Sequence, residues 1–469
     1  MENAEVQSGK TVNVKKILFA MPFVIILQFM QVFNDKVFNL VSPNISATFK
    51  IDVSMVSWVV TISSLIYGVG GALYSVLADR VPMRKLFVFG AVTFAVGSIL
   101  GFTLQFSFFL VVLARAIQCI GSAVIPGCLV ILIRRYVPKE KQPMYLGYST
   151  AMYQISGGLG YAIGGYITDH FSWQSAFLIP ILSLLLIPVL AKNLPDDSTV
   201  SDSKIDFFGA AFLAVTAGTL LFSVSKKNAL IGLVGIVLVA LFIVYSLKKK
   251  DAFIDLRVIK TKKFLPGMIA CICTYAPQTA FFFLFPFAMK DSFLLSAAAI
   301  GIMFIPANFS AFGSGMISGK ITEKLGRQKA FFLGSGTVVL SLILFATMVG
   351  SNMMVMWVAL WLFAVGYTII YPSFYSAYTG AMPDEKVGRC MALSNLMNSI
   401  CGSLAVAFTG LLISINVLNV KILPMPAGLN KVSIYSNMFL IFALSVSIGA
   451  FIYHRTFSMK KADVQEKKN

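Results

Sequence analysis

ILFAMPFVIILQFMQVFNDKVFNLVSPNIS, residues 17–46, runs for thirty residues with only two charges, Asp35 and Lys36. A helix crossing a bilayer needs about 20 apolar residues. The run exceeds that and has no small-residue cleavage site, so it reads as a first membrane helix that stays in place. Similar runs recur along the chain, near 53–77, 86–104, 106–133, 143–167, 173–191, 207–225, 229–247, 264–289, 295–318, 330–349, 353–380, 387–415 and 433–453. The expectation is an all-α, polytopic membrane protein with 14 transmembrane helices.

Composition agrees. Of the 469 residues, 58% are hydrophobic and only 12% charged, with a mean hydropathy of +0.83. A soluble globular chain carries about 25% charged residues. The net charge of +19 raises the question of nucleic acid. The basic residues, however, fall in short clusters between apolar runs, where the positive-inside rule places them, so no nucleic-acid partner is expected. The six cysteines lie in or beside apolar runs, without metal-type spacing to the two histidines, and read as packing residues.

Charge also orients the chain. With the N-terminus inside, inner segments carry 30 of the 38 Lys and Arg and outer loops 6; Lys36 and Arg115 fall within helices. Joining 207–247 into one span would reverse every later loop and expose the seven basic residues from Lys248 to Lys263 on the outside. Both termini are therefore expected in the cytoplasm. The turns LADRVPMRK (77–85) and GKITEKLGRQK (319–329) echo each other, an acid followed by basic residues. That suggests two related halves. The expected division is 1–191, a six-helix half; 192–263, a linker, central helix pair and basic loop; and 264–469, a second six-helix half with a basic tail.

Of nineteen acidic residues, only Asp35 lies in the middle of a span. A charge there costs about 2.5–3.5 kcal/mol on insertion scales, so it points to function. A carboxyl in low dielectric can load and release protons; the alternative is a structural ion pair with Lys36 or Arg115. Neighbours on a helix point about 100° apart, which argues against Lys36 as the same-face partner. Arg115, in the fourth helix, needs a carboxylate, carbonyls or water, and Gln118 sits one turn on. The fifth helix carries Gly147, Gly157, Gly158, Gly160, Gly164 and Gly165. Such small residues allow close helix contact, as a static seam or a pivot. Asp79, Arg80 and Arg84, in the second-to-third-helix turn, are either a solvated topogenic loop or a latch between helix ends.

These segments resemble the major facilitator superfamily, in its fourteen-helix drug:proton antiporter branch. Asp79, Arg80 and Arg84 match the loop signature, with Ser75 and Pro82 where the pattern has Gly. Arg115, Gln118 and Gly121 match the fourth-helix signature, with Cys119 for a Gly. In GYSTAMYQISGGLGYAIGG, Gly147, Gly160, Gly164 and Gly165 match the antiporter signature, while Tyr161 replaces a Pro and Ser156 a Gly. Asp35, Asn39 and Pro43 match the first-helix pattern. The resemblance implies a six-plus-two-plus-six facilitator fold and export by alternating access, driven by a proton gradient without a cofactor. The RRYVPKE turn (134–140) is similar to that of Gram-positive tetracycline exporters. The overall sequence looks more like phenicol exporters, which handle chloramphenicol and florfenicol.

The helix interiors themselves offer neutral polar and aromatic groups: Gln28, Gln31, Asn34, Gln118, Tyr153, Gln154, Gln278, Asn308, Tyr371, Asn395 and Asn398. Such a lining suits a small neutral substrate better than a lipophilic cation. The expectations are a drug-exporting protein of a Gram-positive cell membrane, acting as a monomer in the bilayer, and not an enzyme. Alternatives are a tetracycline or broad multidrug antiporter, or a non-transporting sensor or lipid-handling protein.

Overall fold

The computed structural model describes residues 14–196, 206–249, 253–254, 256, 263–380, 384–423 and 432–457. Most of the linker, most of the basic Lys248–Lys263 loop, and both tails lie outside the described residues.

Among the described residues the chain is all helix, without strands. The spans are α1 (Val14–Phe49), α2 (Val53–Leu77), α3 (Met83–Thr103), α4 (Phe108–Tyr136), α5 (Gln142–His170), α6 (Trp173–Asn193) and α7 (Phe207–Lys226). They continue as α8 (Ala229–Lys248), α9 (Phe264–Phe293), α10 (Ala297–Leu325), α11 (Arg327–Met348), α12 (Met353–Gly380), α13 (Asp384–Ser414) and α14 (Val432–Phe457). Thirteen are long and apolar enough to cross a membrane; α5 is the helix left out. Its length suffices, at 29 residues, but its glycines, Ser, Thr and Gln dilute the hydropathy.

A helix satisfies every backbone group of such a run within its own segment, as lipid requires. Prolines sit inside α1 (Pro22, Pro43), α9 (Pro277, Pro286), α10 (Pro306) and α12 (Pro372) without ending them. The sixth span differs from a regular helix. Trp173–Phe177 and Ile179–Leu186 wind as 3₁₀, and only Ile187–Asn193 is α-helical. Pro180 and Pro188 each remove a backbone donor there.

Three main contacts join the first six spans to the last six: α5 on α10, α2 on α13, and α1 on α9. The central pair packs through α7 against α2 and α13, while α8 leans on α7 and leaves Leu230, Leu233, Ile236 and Val237 exposed. Such a face suits lipid.

Close approach at α5 is made possible by missing side chains. A Cβ on Gly165 would strike the Ala297 carbonyl of α10, and one on Gly301 of α10 would strike the Tyr161 carbonyl. On the other face of α5, a Cβ at Gly160 would lie 2.9 Å from the Phe33 carbonyl of α1, and one at Gly164 would meet Val37. The seam is therefore double: α5 is wedged between α1 and α10.

The halves meet at one end and part at the other. At the end carrying the α1–α2 turn, Asp169 of α5 accepts from the Ala297 and Ala298 amides (3.2 and 2.8 Å). There too the Ser54 amide donates to Ser414 Oγ (3.0 Å), and Ser403 Oγ to the Thr61 carbonyl (3.3 Å). Toward the α2–α3 end, a Cβ on Gly147 of α5, or on Gly313, Gly315 or Gly319 of α10, would meet nothing within 4 Å.

Candidate functional site

α1 and α4 bring Asp35 and Arg115 together across 80 residues of sequence. Arg115 Nη2 donates to Asp35 Oδ1 at 3.2 Å. The arginine side chain is 0% exposed and the aspartate 26%. The carboxylate thus keeps a path to solvent while the guanidinium has none.

The rest of the arginine's surroundings explain how it is tolerated. Its Nη1 donates to Gln118 Oε1, and Gln118 Nε2 donates to Ser98 Oγ at 2.6 Å. The Asn34 amide serves the guanidinium best with Oδ1 facing Arg115 Nη1 at 2.6 Å and its nitrogen facing the Ala176 carbonyl at 3.3 Å. The guanidinium carbon lies 4.1 Å from the centre of the Phe38 ring, a cation–π contact. α3 can come close enough to supply Ser98 because Gly97 and Gly121 leave room at the α3–α4 contact. Close by, Ser122 Oγ donates to the Tyr67 hydroxyl at 3.4 Å.

Lys36, the next residue, turns away. Its Nζ stands 4.6 Å from the centre of the Phe282 ring on α9 and 6.0 Å from that of Tyr161 on α5. A Cβ on Gly160 would lie 3.0 Å from Lys36 Cβ, so the absent side chain is what lets the lysine cross α5. Tyr161, where the resemblance leads one to expect Pro, stacks on Phe304 of α10 with ring centres 3.8 Å apart and planes 15° apart.

The remaining sequence candidates divide by position. Asn34 and Gln118 are fully buried behind the carboxylate, and Gln28 accepts from Ser149 Oγ (2.9 Å), tying α1 to α5. Tyr153, Tyr371 and Asn395 are exposed, and Tyr375 Oη donates to Asn395 Oδ1 at 3.3 Å. Tyr153 lies within electrostatic reach of both Tyr161 and Tyr371. Asn308 packs against Gly157 and Gly158 in the α5–α10 seam, and Asn398 Oδ1 is buried without a partner. Gln31, Gln154 and Gln278 are partly buried.

The charged turn has partners that the sequence did not suggest. Asp79 pairs with Arg135 at the end of α4 (2.6 Å), and Arg135 also donates to the Ala78 carbonyl (2.9 Å). Arg84 pairs with Asp196 beyond α6 (2.9 Å) and donates to the Leu194 carbonyl (3.2 Å). Both pairs stay within the first six spans. Arg327, in the echoing turn, donates to the Ser376 carbonyl (3.3 Å).

Phe38, Ser98, Tyr67, Phe282 and Arg135 were missed by the sequence reading. Each is unremarkable in sequence, and only RRYVPKE drew attention near one of them. Among the described residues no cluster of His, Cys, Asp or Glu could hold a metal ion.

Comparisons with known proteins place this geometry in context. The sequence pattern of the Major Facilitator Superfamily matches residues 24–406. The chain is 24% identical over 386 residues to the riboflavin transporter RibZ of Clostridioides difficile, covering 81% of this chain and 84% of that protein. It is 24% identical over 409 residues to the methyl viologen resistance protein SmvA of Salmonella typhimurium, covering 83% and 81%. Among solved structures, the peptide transporter POT in complex with sulfate superposes with a TM-score of 0.71 at 16% identity, covering 93% of this chain and 95% of that one. A bacterial homolog of the human lysosomal transporter Spinster gives 0.65 at 12% identity, covering 94% and 98%.

Proposed function

The chain belongs to the Major Facilitator Superfamily, as a multi-pass transporter of the cell membrane, and on that premise we propose that it exports a small neutral drug in exchange for protons. The observation that carries the proposal is the Asp35–Arg115 pair. It joins the one mid-span carboxyl to a fully buried cation, and the carboxyl keeps a path to solvent.

The chemistry of the pair supports proton coupling. Ionised, Asp35 neutralises Arg115; protonated, it no longer does, and the guanidinium leans on Gln118, Asn34 and Phe38. A proton arriving at Asp35 therefore changes the field and the hydrogen bonding on the α1–α4 wall. Substrate binding favours one protonation state, and the swing between the two end-closures carries substrate one way and proton the other. The α5–α10 and α2–α13 contacts are the surfaces that would exchange during that swing.

The substrate proposed first is a phenicol such as chloramphenicol or florfenicol. Support for a neutral substrate comes from the exposed, uncharged Tyr153, Tyr371 and Asn395, and support for export from a relative named for methyl viologen resistance. Tetracyclines or a broader drug range are the alternative. The proposed topology is six spans, a central pair and six spans, with both termini cytoplasmic and the open α2–α3 end facing the cytoplasm. The proposed working unit is the monomer.

The test is a resistance panel in a susceptible host expressing the chain, with chloramphenicol, florfenicol, tetracycline and methyl viologen; riboflavin is followed by export. Protection against the phenicols alone supports the first reading. Protection against tetracycline or methyl viologen instead replaces it with the alternative.

A further inference from the structure

Lys36 is a mid-span cation without a counter-charge. Among the described residues it forms no ion pair, and no hydrogen bond uses its three N–H donors. It is only partly buried, so its ammonium is reachable. Its placement is nevertheless built. Gly160 clears its path, Phe282 supports it from the far half, and Tyr161 and Phe304 stack to form the wall beside it. The Tyr161 hydroxyl is buried and also has no partner.

The charges around it do not cancel it. Asp35 is engaged by Arg115, and those two sum to zero. The other titratable groups in electrostatic reach of Asp35 or Tyr161 are the phenols of Tyr67 and Tyr153 and the thiol of Cys119, all neutral near pH 7. No other described acid lies in mid-span. The net charge at the meeting of α1, α5 and α9 is therefore one positive unit, beside aromatic rings, in a low-dielectric setting.

We propose that Lys36 sets the charge selectivity of the transported molecule. Its ammonium docks an electron-rich acceptor (nitro, carbonyl, sulfonyl or carboxylate) of a neutral or anionic aromatic substrate, and repels cations. This rests on the reading that the central site binds the exported molecule, and deepens it by naming the substrate class. A unit charge about 5 Å from a ligand charge, at an effective dielectric constant near 20, changes affinity by at least tenfold.

The test uses the full chain in lipid nanodiscs and three probes: chloramphenicol (neutral), 4-nitrobenzoate (anion) and methyl viologen (dication). Wild-type protein should bind the first two at least tenfold more tightly than methyl viologen. Lys36→Gln and Lys36→Met should erase that order, and Lys36→Arg should keep it. Wild-type protein that binds methyl viologen as well as the others, or binds none of the three, overturns the proposal. So does an unchanged order in both uncharged variants. Export of chloramphenicol from everted vesicles is measured separately. Export with no Lys36-dependent order sinks this inference alone. A Lys36-dependent order without export sinks the phenicol reading and leaves this one standing.

Discussion

Arg115 depends on what surrounds it. At 0% exposure it has no route to water, and its charge is held by Asp35, Gln118, Asn34 and the Phe38 face. Removing one partner of a buried pair is costly, about 3–5 kcal/mol, because the other charge stays behind. Asp35 is partly exposed, so Arg115→Ala leaves a carboxylate that water can reach. We expect that variant to insert normally and to lose at least tenfold in export, measured as drug efflux at matched membrane abundance. Arg115→Lys should not rescue it, because a single ammonium cannot serve Asp35, Gln118 and Asn34 in one plane. The singularity of Asp35 was legible in the sequence, since one acid among nineteen sits deep in an apolar run. Arg115 was one of two candidate partners, but the choice between them was not legible: adjacency of α1 and α4 is a tertiary fact, and no spacing between residues 35 and 115 encodes it. Lys36 was legible as a residue pointing elsewhere, but not as one reaching Phe282 across Gly160.

At the scale of the helix, α5 shows what hydropathy can and cannot carry. Its glycines lower its apolar score, yet their spacing of three and four marks a contact helix. The structure gives the glycines separate duties: Gly160 and Gly164 toward α1, Gly165 toward α10, and Gly147 toward nothing. Gly165→Val would press a side chain into the Ala297 backbone, an overpacking cost of about 1–3 kcal/mol. We expect it to weaken the α5–α10 closure and cut transport, while Gly147→Val leaves transport near wild type; initial export rates decide this. The 3₁₀ winding of α6 was hidden, because its apolar run looks like any other span. At the central pair, Asp206 caps α7 through the Gly209 amide (2.8 Å). It also accepts from Tyr245 Oη, Lys249 Nζ (both 2.8 Å) and the Phe253 amide (2.9 Å). Burial alone would raise its pKa, but Lys249 and these hydrogen bonds outweigh it and hold the carboxyl below its usual range. A depressed folded pKa means that the stabilisation is present above the unfolded value of about 3.9 and is lost as pH falls through the folded one. Asp206→Ala should therefore destabilise the α7–α8 pair by about 1–3 kcal/mol near neutral pH. Faster proteolysis of the loop after α8 would report it, and the difference from wild type should shrink in strong acid.

For the whole molecule, the number and order of the spans were readable because each had to satisfy the bilayer independently. Charge asymmetry argued for two spans rather than one at 207–247, and the structure has α7 and α8 as separate helices there. The closed and open ends were not readable, since both arrangements bury similar surfaces in the same sequence. The Ser54–Ser414 and Asp169–Ala298 contacts mark the closed end. A Ser54→Cys/Ser414→Cys disulfide should hold that end shut and stop turnover, with recovery on reduction; uninterrupted export after oxidation would show that these helices need not part. The ion pairs of the α2–α3 turn, Asp79–Arg135 and Arg84–Asp196, stay inside one half and brace its helix ends in this state.

The central claim is that Asp35 couples proton movement to export. Everted membrane vesicles carrying a proton gradient test it directly, with a pH-sensitive dye reporting proton release when chloramphenicol is added. Wild-type vesicles should lose part of their gradient on drug addition, and vesicles with equal amounts of Asp35→Asn protein should not. A gradient collapse by Asp35→Asn equal to wild type, or no response from wild-type vesicles, would contradict the account.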